Sequence, residues 1–288
     1  MKESGIKYGL INLAVMATAI YVFVTSYGDI KSVFYGKDIL YIAVVLSAAG
    51  VVHLIKAGRL YLALYGTGID ASIYIREYCK VTPVSMAVPF KAGEFFRMFC
   101  YGWQLDNPLK GAIIVLLDRF MDTAALVTMI FLVWLFNGGR VTLFTYLLVV
   151  FLIFVLLIYY AFPGVQSFWR KYILRARATE KRLGILKMLN RLQLIYQETR
   201  SVSKGRGVIL YVMSVLAWSI ELGSLAVLNG ISGEGELSQT ISEYLSSAMG
   251  TGVSIELRQF VFLSVILMIM VYFVMEGLKI LQRGKRSQ

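Results

Sequence analysis

Long apolar runs recur along the chain, and short polar stretches separate them. A helix that crosses a bilayer needs about 20 mostly apolar residues. The first run is too long for a signal-peptide core and has no cleavage site at its end. We therefore expect it to be retained as a transmembrane helix. The pattern predicts six transmembrane helices, over Tyr8–Tyr27, Ile39–Arg59, Ala112–Phe136, Val141–Phe162, Val208–Leu228 and Phe260–Leu281.

Two further apolar segments are too short or too broken to cross a bilayer. Ala71–Phe99 is interrupted by Pro83, Pro89 and Gly93, and Leu237–Gly252 is rich in Ser and Gly. Such segments enter a membrane only where protein or a water-filled cavity satisfies their backbone groups. We therefore predict an all-α polytopic membrane protein with six transmembrane helices plus two re-entrant broken helical segments. Each half then holds two spans, a broken segment and a further span, which is the arrangement of an inverted repeat.

Composition and charge agree with a protein of the cell membrane. Of the 288 residues 58% are hydrophobic and 16% are charged, whereas a soluble domain carries about 25% charged residues. The net charge is +12, and residues 163–206 hold eleven Lys or Arg against two Glu. Basic loops between spans face the cytoplasm and its anionic lipids, so we expect both termini to be cytoplasmic and expect no nucleic-acid partner.

The basic loop over residues 163–206 contains one helical pattern. Ile185, Met188, Leu189, Leu192 and Ile195 have the spacing of one helix face. This amphipathic helix either lies along the inner leaflet or packs against the bundle.

The sequence contains no arrangement typical of a metal or cofactor site. Its two cysteines and its one histidine lack metal-ligand spacing. A Ser-His-Asp arrangement, a Walker loop and a dinucleotide fingerprint are all missing. We therefore expect neither a metal nor a cofactor, and nothing in the sequence demands catalysis, although some polytopic enzymes work with carboxylates and arginines alone.

The stretch "PFKAGEFFR", which starts at Pro89, places charges among apolar residues. A charged side chain at bilayer depth costs about 3 kcal/mol unless it faces a cavity or a partner. Pro89 suits the first turn of a helix, whose free amide groups attract an anion. Lys91 adds positive charge, Gly93 allows close backbone approach, and Glu94 can pair with Arg97. The alternative is an interfacial segment with one salt bridge.

A second charged stretch, "LLDRFMD", lies within the predicted span Ala112–Phe136. Asp118 and Asp122 are four residues apart and share a helix face, and Arg119 lies within reach of Asp122. This face is predicted to avoid lipid. It serves either a ligand site or a structural ion-pair network.

Polar residues in the second half supply a further set of candidates. Glu221 is alone in a span, which suits either a proton-coupling site or a hydrogen-bonded structural acid. Glu256 and Arg258 follow a glycine-rich stretch that contains Gly250 and Gly252. We expect these groups to line the outer side of the membrane cavity that the two charged stretches are predicted to face.

The two charged stretches together resemble the pattern P-x-(R/K)-x-G-E-x-x-R followed by (D/E)-R-x-x-D of the lysylphosphatidylglycerol synthase transmembrane family. These are flippase-like membrane proteins related to the N-terminal domain of the bacterial multiple peptide resistance factor. Where the family shows P-G-G-x-G-x-x-E, this chain has "MGTGVSIE", which has no proline. The family pattern falls on Pro89, Lys91, Gly93, Glu94, Arg97, Asp118, Arg119, Asp122, Gly250, Gly252 and Glu256.

The resemblance implies that residues 1–288 form a single flippase-like domain, which translocates an anionic or aminoacylated phospholipid or a polyprenyl-phosphate-linked lipid. The residues implied to bind the lipid head group are Pro89, Lys91, Gly93, Glu94, Arg97, Asp118, Arg119 and Asp122. The alternative is a membrane subunit or enzyme of cell-envelope lipid synthesis, transferring an aminoacyl or glycosyl group with a glycosyltransferase or aminoacyltransferase partner. Because the chain ends at Gln288, we expect the soluble lysyltransferase domain of the resistance factors to be absent. A homo-oligomer is compatible with either function.

Overall fold

The computed structural model of the chain describes residues 17, 35–87, 92–137, 142–175, 180–232, 236–250 and 254–286. Within these ranges the secondary structure consists of nine helices without a strand. The helices are α1 (Ile39–Leu64), α2 (Ala71–Ala87), α3 (Ala92–Gln104), α4 (Pro108–Asn137), α5 (Leu143–Arg175), α6 (Glu180–Ser203), α7 (Gly207–Ser232), α8 (Leu237–Ala248) and α9 (Ile255–Arg286).

Four of these helices, α1, α5, α7 and α9, are long and apolar enough to cross a membrane. The described part of the chain is therefore helical with four candidate membrane spans, which is consistent with the polytopic α-helical membrane protein that the apolar runs predict. Helix α4 covers the predicted span Ala112–Phe136, and its crossing of the bilayer stays a prediction. The predicted span Tyr8–Tyr27 lies outside the described residues apart from Ala17.

The bundle is built around α1, which packs along α7 and against α9. Helix α9 also packs on α2, and α4 packs on both α3 and α7. One apolar cluster joins Leu60 of α1, Tyr74 of α2, Tyr101 of α3 and Leu210 of α7. The short helices α2 and α3 are thus held in the core of the bundle, close to the charged face of α4.

The predicted broken segment Ala71–Phe99 forms two helices, α2 and α3. Pro83 lies inside α2 and is fully buried. Helices α3 and α4 approach so closely that a Cβ on Gly111 would lie 2.2 Å from the backbone nitrogen of Gly102. Small residues permit such close helix contacts inside membranes. The re-entrant placement of α2, α3 and α8 stays a prediction.

Helix α5 continues past the predicted end of its span at Phe162, through Pro163, to Arg175. Much of the predicted basic loop is therefore helical, as α5 and then α6. The exposed Gly205, with φ +74°, makes the turn from α6 to α7 in the left-handed region that suits glycine. Four residues of the predicted amphipathic face are exposed, namely Ile185, Met188, Leu192 and Ile195. Their placement against the inner leaflet stays a prediction.

Candidate functional site

Arg59 lies at the centre of a buried ion-pair network between α1, α4 and α7. Its Nε donates to Asp118 Oδ1 at 2.9 Å, and its Nη1 donates to Asp122 Oδ1, also at 2.9 Å. The same Nη1 donates to the hydroxyl of Ser214 on α7 at 2.5 Å. Arg59 is only 3% exposed, so its charge is neutralised entirely by protein groups.

Arg97 of α3 joins this network from the other side of Asp118. Its Nη2 lies 3.0 Å from Asp118 Oδ2, and its Nη1 lies 3.7 Å from Glu94 Oε2. The pairing of Glu94 with Arg97 that their spacing predicts is therefore confirmed. Arg97 is buried, and it holds α3 against α4.

Arg119 is the outermost cation of the network. It pairs with Glu94 and lies 4.0 Å from Asp122 Oδ2, so its predicted contact with Asp122 is confirmed at the limit of an ion pair. Its side chain is 44% exposed, whereas that of Arg97 is 7% exposed. The Arg119 side chain is therefore accessible from outside, whereas the centre of the network is covered.

The network is balanced in charge. The cations Arg59, Arg97 and Arg119 meet the anions Glu94, Asp118 and Asp122. Removing one partner of a buried ion pair costs about 3–5 kcal/mol, because the other charge stays buried and uncompensated. The charges therefore tie α1, α3 and α4 together, and among the described residues of the network the cations and anions are equal in number.

Glu221 has partners on two other helices, which agrees with the predicted hydrogen-bonded structural acid, and its alternative role in proton coupling stays a prediction. The hydroxyl of Tyr244 on α8 donates to Glu221 Oε1 at 2.6 Å, and Lys56 Nζ lies 3.6 Å from Oε2. Lys56 also lies 5.5 Å from the centre of the Trp218 ring. The sequence did not predict these contacts, because Tyr244 is 23 residues away from Glu221 and Lys56 is much farther away.

The glycine of the first charged stretch has an observed role in packing. A Cβ on Gly93 would lie 2.4 Å from Ser85 Cα of α2, so the absence of a side chain lets α3 start against the backbone of α2. Pro89 and Lys91 lie outside the described residues, as does Gly252. The head-group role of Pro89 and Lys91 and the outer-cavity role of Gly252 stay predictions.

The remaining candidates lie where α8 ends and α9 begins. Gly250 follows α8 with φ +80°, a conformation that suits glycine. Ser254 caps α9 by accepting from the backbone N–H of Leu257 at 3.2 Å, and its hydroxyl lies 2.7 Å from Glu256 Oε2. Arg258 is exposed. The described geometry gives Gly250 and Glu256 roles in the connection of these helices, and their place on an outer cavity stays a prediction.

A cleft of about 840 Å³ lies beside the ion-pair network, between α4, α5, α6 and α7. Its walls are mainly apolar, with Phe151 and Leu156 on α5 and Leu116 on α4. The charged residues among the described residues that line it are Arg119, Arg200 and Lys204. Arg119 thus faces both the network and the cleft.

The sequence did not predict Arg59 as a member of the ion-pair network or Lys56 as the partner of Glu221. Both lie at the end of an apolar span, where cations usually extend toward water. Their spacing could have indicated a shared charged site, because two residues that are three apart lie on the same face of a helix. Their acidic partners come from α4 and α7, and only the tertiary structure brings these helices to α1.

Comparison with known proteins identifies the family. The model of the lysylphosphatidylglycerol synthase TM region matches residues 9–279. No curated protein and no solved structure matches the chain significantly. Because the match covers nearly the whole sequence, including both charged stretches and the network that they form, the chain belongs to the lysylphosphatidylglycerol synthase transmembrane region family.

Proposed function

We propose that this chain is a flippase-like membrane protein that binds a phosphate-bearing lipid and moves it between leaflets. The family concerns lipid metabolism in the membrane, which supports a lipid as the substrate. The cleft between α4, α5, α6 and α7 is the observation that carries the proposal. A site with apolar walls and cations at its edge fits a molecule with hydrocarbon chains and a phosphate.

Arg119 is the residue that we assign to the phosphate inside the cleft. Glu94 and Asp122 orient its guanidinium group from behind, and its exposed part faces the cleft. A guanidinium group binds phosphate through two parallel hydrogen bonds. Arg97 serves as a support, because Asp118 and Glu94 already occupy its guanidinium group within the described structure.

The proposed transport cycle uses an ion-pair exchange. A lipid phosphate that reaches Arg119 competes with Glu94, and release of Glu94 loosens the link between α3 and α4. The full topology in this proposal has six spans, both termini in the cytoplasm and two re-entrant segments. Rocking of one half against the other then exposes the site to each leaflet in turn.

Lipid scrambling in vesicles tests this function. We expect the purified full chain to accelerate the movement of fluorescent phosphatidylglycerol across liposome membranes, measured by chemical quenching of the outer leaflet. Arg119→Gln removes the charge and keeps much of the side-chain length. We expect it to slow movement about tenfold or more, because a hydrogen bond to a charged group contributes about 1.5–3 kcal/mol.

Arg191→Gln is the matched control, since Arg191 is exposed on α6 and lies outside the cleft lining. We expect this variant to move lipid at the wild-type rate. If the wild-type protein leaves the rate of lipid scrambling in vesicles unchanged, that result contradicts the proposed function. A wild-type rate for a folded Arg119→Gln variant contradicts the assignment of Arg119.

A further inference from the structure

We infer that the cleft selects lipids whose head group carries a net negative charge, and that Arg200 and Lys204 make this selection at its rim. The inference rests on the proposed function, and it narrows the substrate to anionic lipids without an ammonium group. Charge complementarity is its first support. The cleft is lined by three cations and, among the described residues, by no carboxylate.

The two rim cations form no ion pair with an acidic side chain of the described residues. Arg200 is in the last turn of α6, Lys204 follows in the next turn, and both are exposed. In the described part of the chain, neither has a carboxylate oxygen within 4.0 Å, whereas Arg119 has two such partners. Their charges are therefore available to an anion that enters the cleft.

The turn that carries Lys204 is fixed on two sides. Arg206 donates through Nη1 to the carbonyl oxygens of Leu62 and Tyr65, at 3.3 and 2.8 Å, at the end of α1. The hydroxyl of Tyr159 on α5 lies 3.2 Å from that of Ser203. Side chains presented by a fixed turn lose less conformational freedom on binding. The backbone that carries Lys204 is thus held in place before a ligand arrives.

The described residues that line the cleft offer no carboxylate to an ammonium group. The two carboxylates that contact Arg119 are Glu94 and Asp122, both members of the ion-pair network. Neither forms part of the cleft wall. A phospholipid with a single phosphate and no amine therefore matches the wall, while an aminoacylated lipid places its ammonium group among three cations.

The hydrocarbon chains have a route into the surrounding lipid. Helix α5 packs mainly on α4 and α6, and large apolar side chains such as Phe151 and Leu156 are exposed along it. The cleft lies along this weakly packed helix, so acyl chains can stay in the bilayer while the phosphate contacts the rim.

Photo-crosslinking measures this selection at equilibrium. The purified full chain is placed in phosphatidylcholine nanodiscs with a trace of phosphatidylglycerol that carries a diazirine in one acyl chain. Mass spectrometry then identifies the labelled peptides. We expect labelling on α5 and α7 beside the cleft. Unlabelled phosphatidylglycerol should compete, and lysyl-phosphatidylglycerol at the same concentration should not.

The double variant Arg200→Gln with Lys204→Gln tests the two rim cations. Each cation near an anionic surface contributes about 1 kcal/mol, so we expect their removal to weaken the preference for phosphatidylglycerol over phosphatidylcholine about 30-fold. The matched control removes two cations from α5, Arg170→Gln with Lys171→Gln. Both control positions are exposed and lie outside the cleft lining, so the preference should stay at the wild-type level.

Three results overturn the inference: equal competition by lysyl-phosphatidylglycerol, an unchanged preference in the rim variant, or an equal loss in the control variant. Its failure is separable from that of the proposed function. Selective labelling without scrambling supports the rim and contradicts translocation. Scrambling with an unchanged preference in the rim variant contradicts only the rim.

Discussion

Arg59 shows how a single buried residue organises the charged centre. Three groups on two other helices, Asp118, Asp122 and Ser214, bind its guanidinium group. A charge is tolerated at this depth only because these partners replace its water. The residue therefore has a structural role that is separate from the lipid contact assigned to Arg119.

Substitution of Arg59 by Gln tests this structural role. We expect a loss of about 3–5 kcal/mol in the free energy of unfolding, because two carboxylates lose a buried partner. The measurement is denaturation in mixed detergent micelles. Addition of Asp122→Asn should recover part of the loss, giving a coupling energy of about 0.5–3 kcal/mol for the two residues.

The exposed Arg191→Gln variant serves again as the control, with an expected change within about 0.5 kcal/mol. Equal stability of the Arg59→Gln and wild-type proteins would mean that the centre does not depend on this ion pair.

At the scale of helices, a backbone contact sets the distance between α3 and α4. A Cβ on Gly111 would approach the backbone nitrogen of Gly102 to 2.2 Å and the carbonyl oxygen of Met98 to 2.9 Å. Backbone atoms cannot move aside as a flexible side chain can. The separation of the two helices, and with it the contact between Arg97 and Asp118, depends on these glycines.

Gly111→Ala is expected to separate α3 from α4 and to destabilise the protein by about 1–3 kcal/mol through overpacking. Thermal unfolding in detergent measures the effect. Gly223→Ala on α7 is the matched control, since a Cβ there meets nothing within 4 Å. Removing a glycine from a helix interior is favourable by about 0.5–1 kcal/mol, so the control should be unchanged or stabilised. A wild-type melting temperature for Gly111→Ala would contradict the close contact.

At the scale of the whole molecule, the bundle has a tightly packed part and a loosely packed part. Helices α1, α4 and α7 enclose the ion pairs, while α5 stands at the edge and packs mainly on α4 and α6. The loosely packed part creates the cleft, and the tightly packed part supplies Arg119 to it. The proposed translocation needs both, because the lipid occupies space that α5 leaves open.

Two neighbouring residues of α5 allow a direct test of the cleft. Leu156 lines the cleft, whereas Leu157 is 62% exposed and lies outside its lining. We expect Leu156→Trp to fill part of the cleft and slow phosphatidylglycerol scrambling at least several-fold. Leu157→Trp adds the same side chain toward the surroundings and should keep the wild-type rate. Equal rates for the two variants would show that the cleft is not the path of the lipid.

The sequence alone determined the class of the protein, the approximate positions of the long apolar helices within the described residues and two ion pairs of the network. Long apolar runs and local spacing suffice for these, because a run of 20 apolar residues and a pair three or four residues apart are properties of one helix. The pairs Glu94–Arg97 and Arg119–Asp122 are of this kind, and the family pattern marks both.

Only the tertiary structure decided which charges neutralise one another and which remain available to a ligand. Arg59 joined the centre, Glu221 acquired Lys56 and Tyr244, and Gly93 became a helix contact, each through a partner on another helix. Such contacts depend on how the helices pack against one another, which the spacing of residues within one helix does not predict. The same packing leaves α5 apart from α7, and so it forms the cleft on which the proposed function rests.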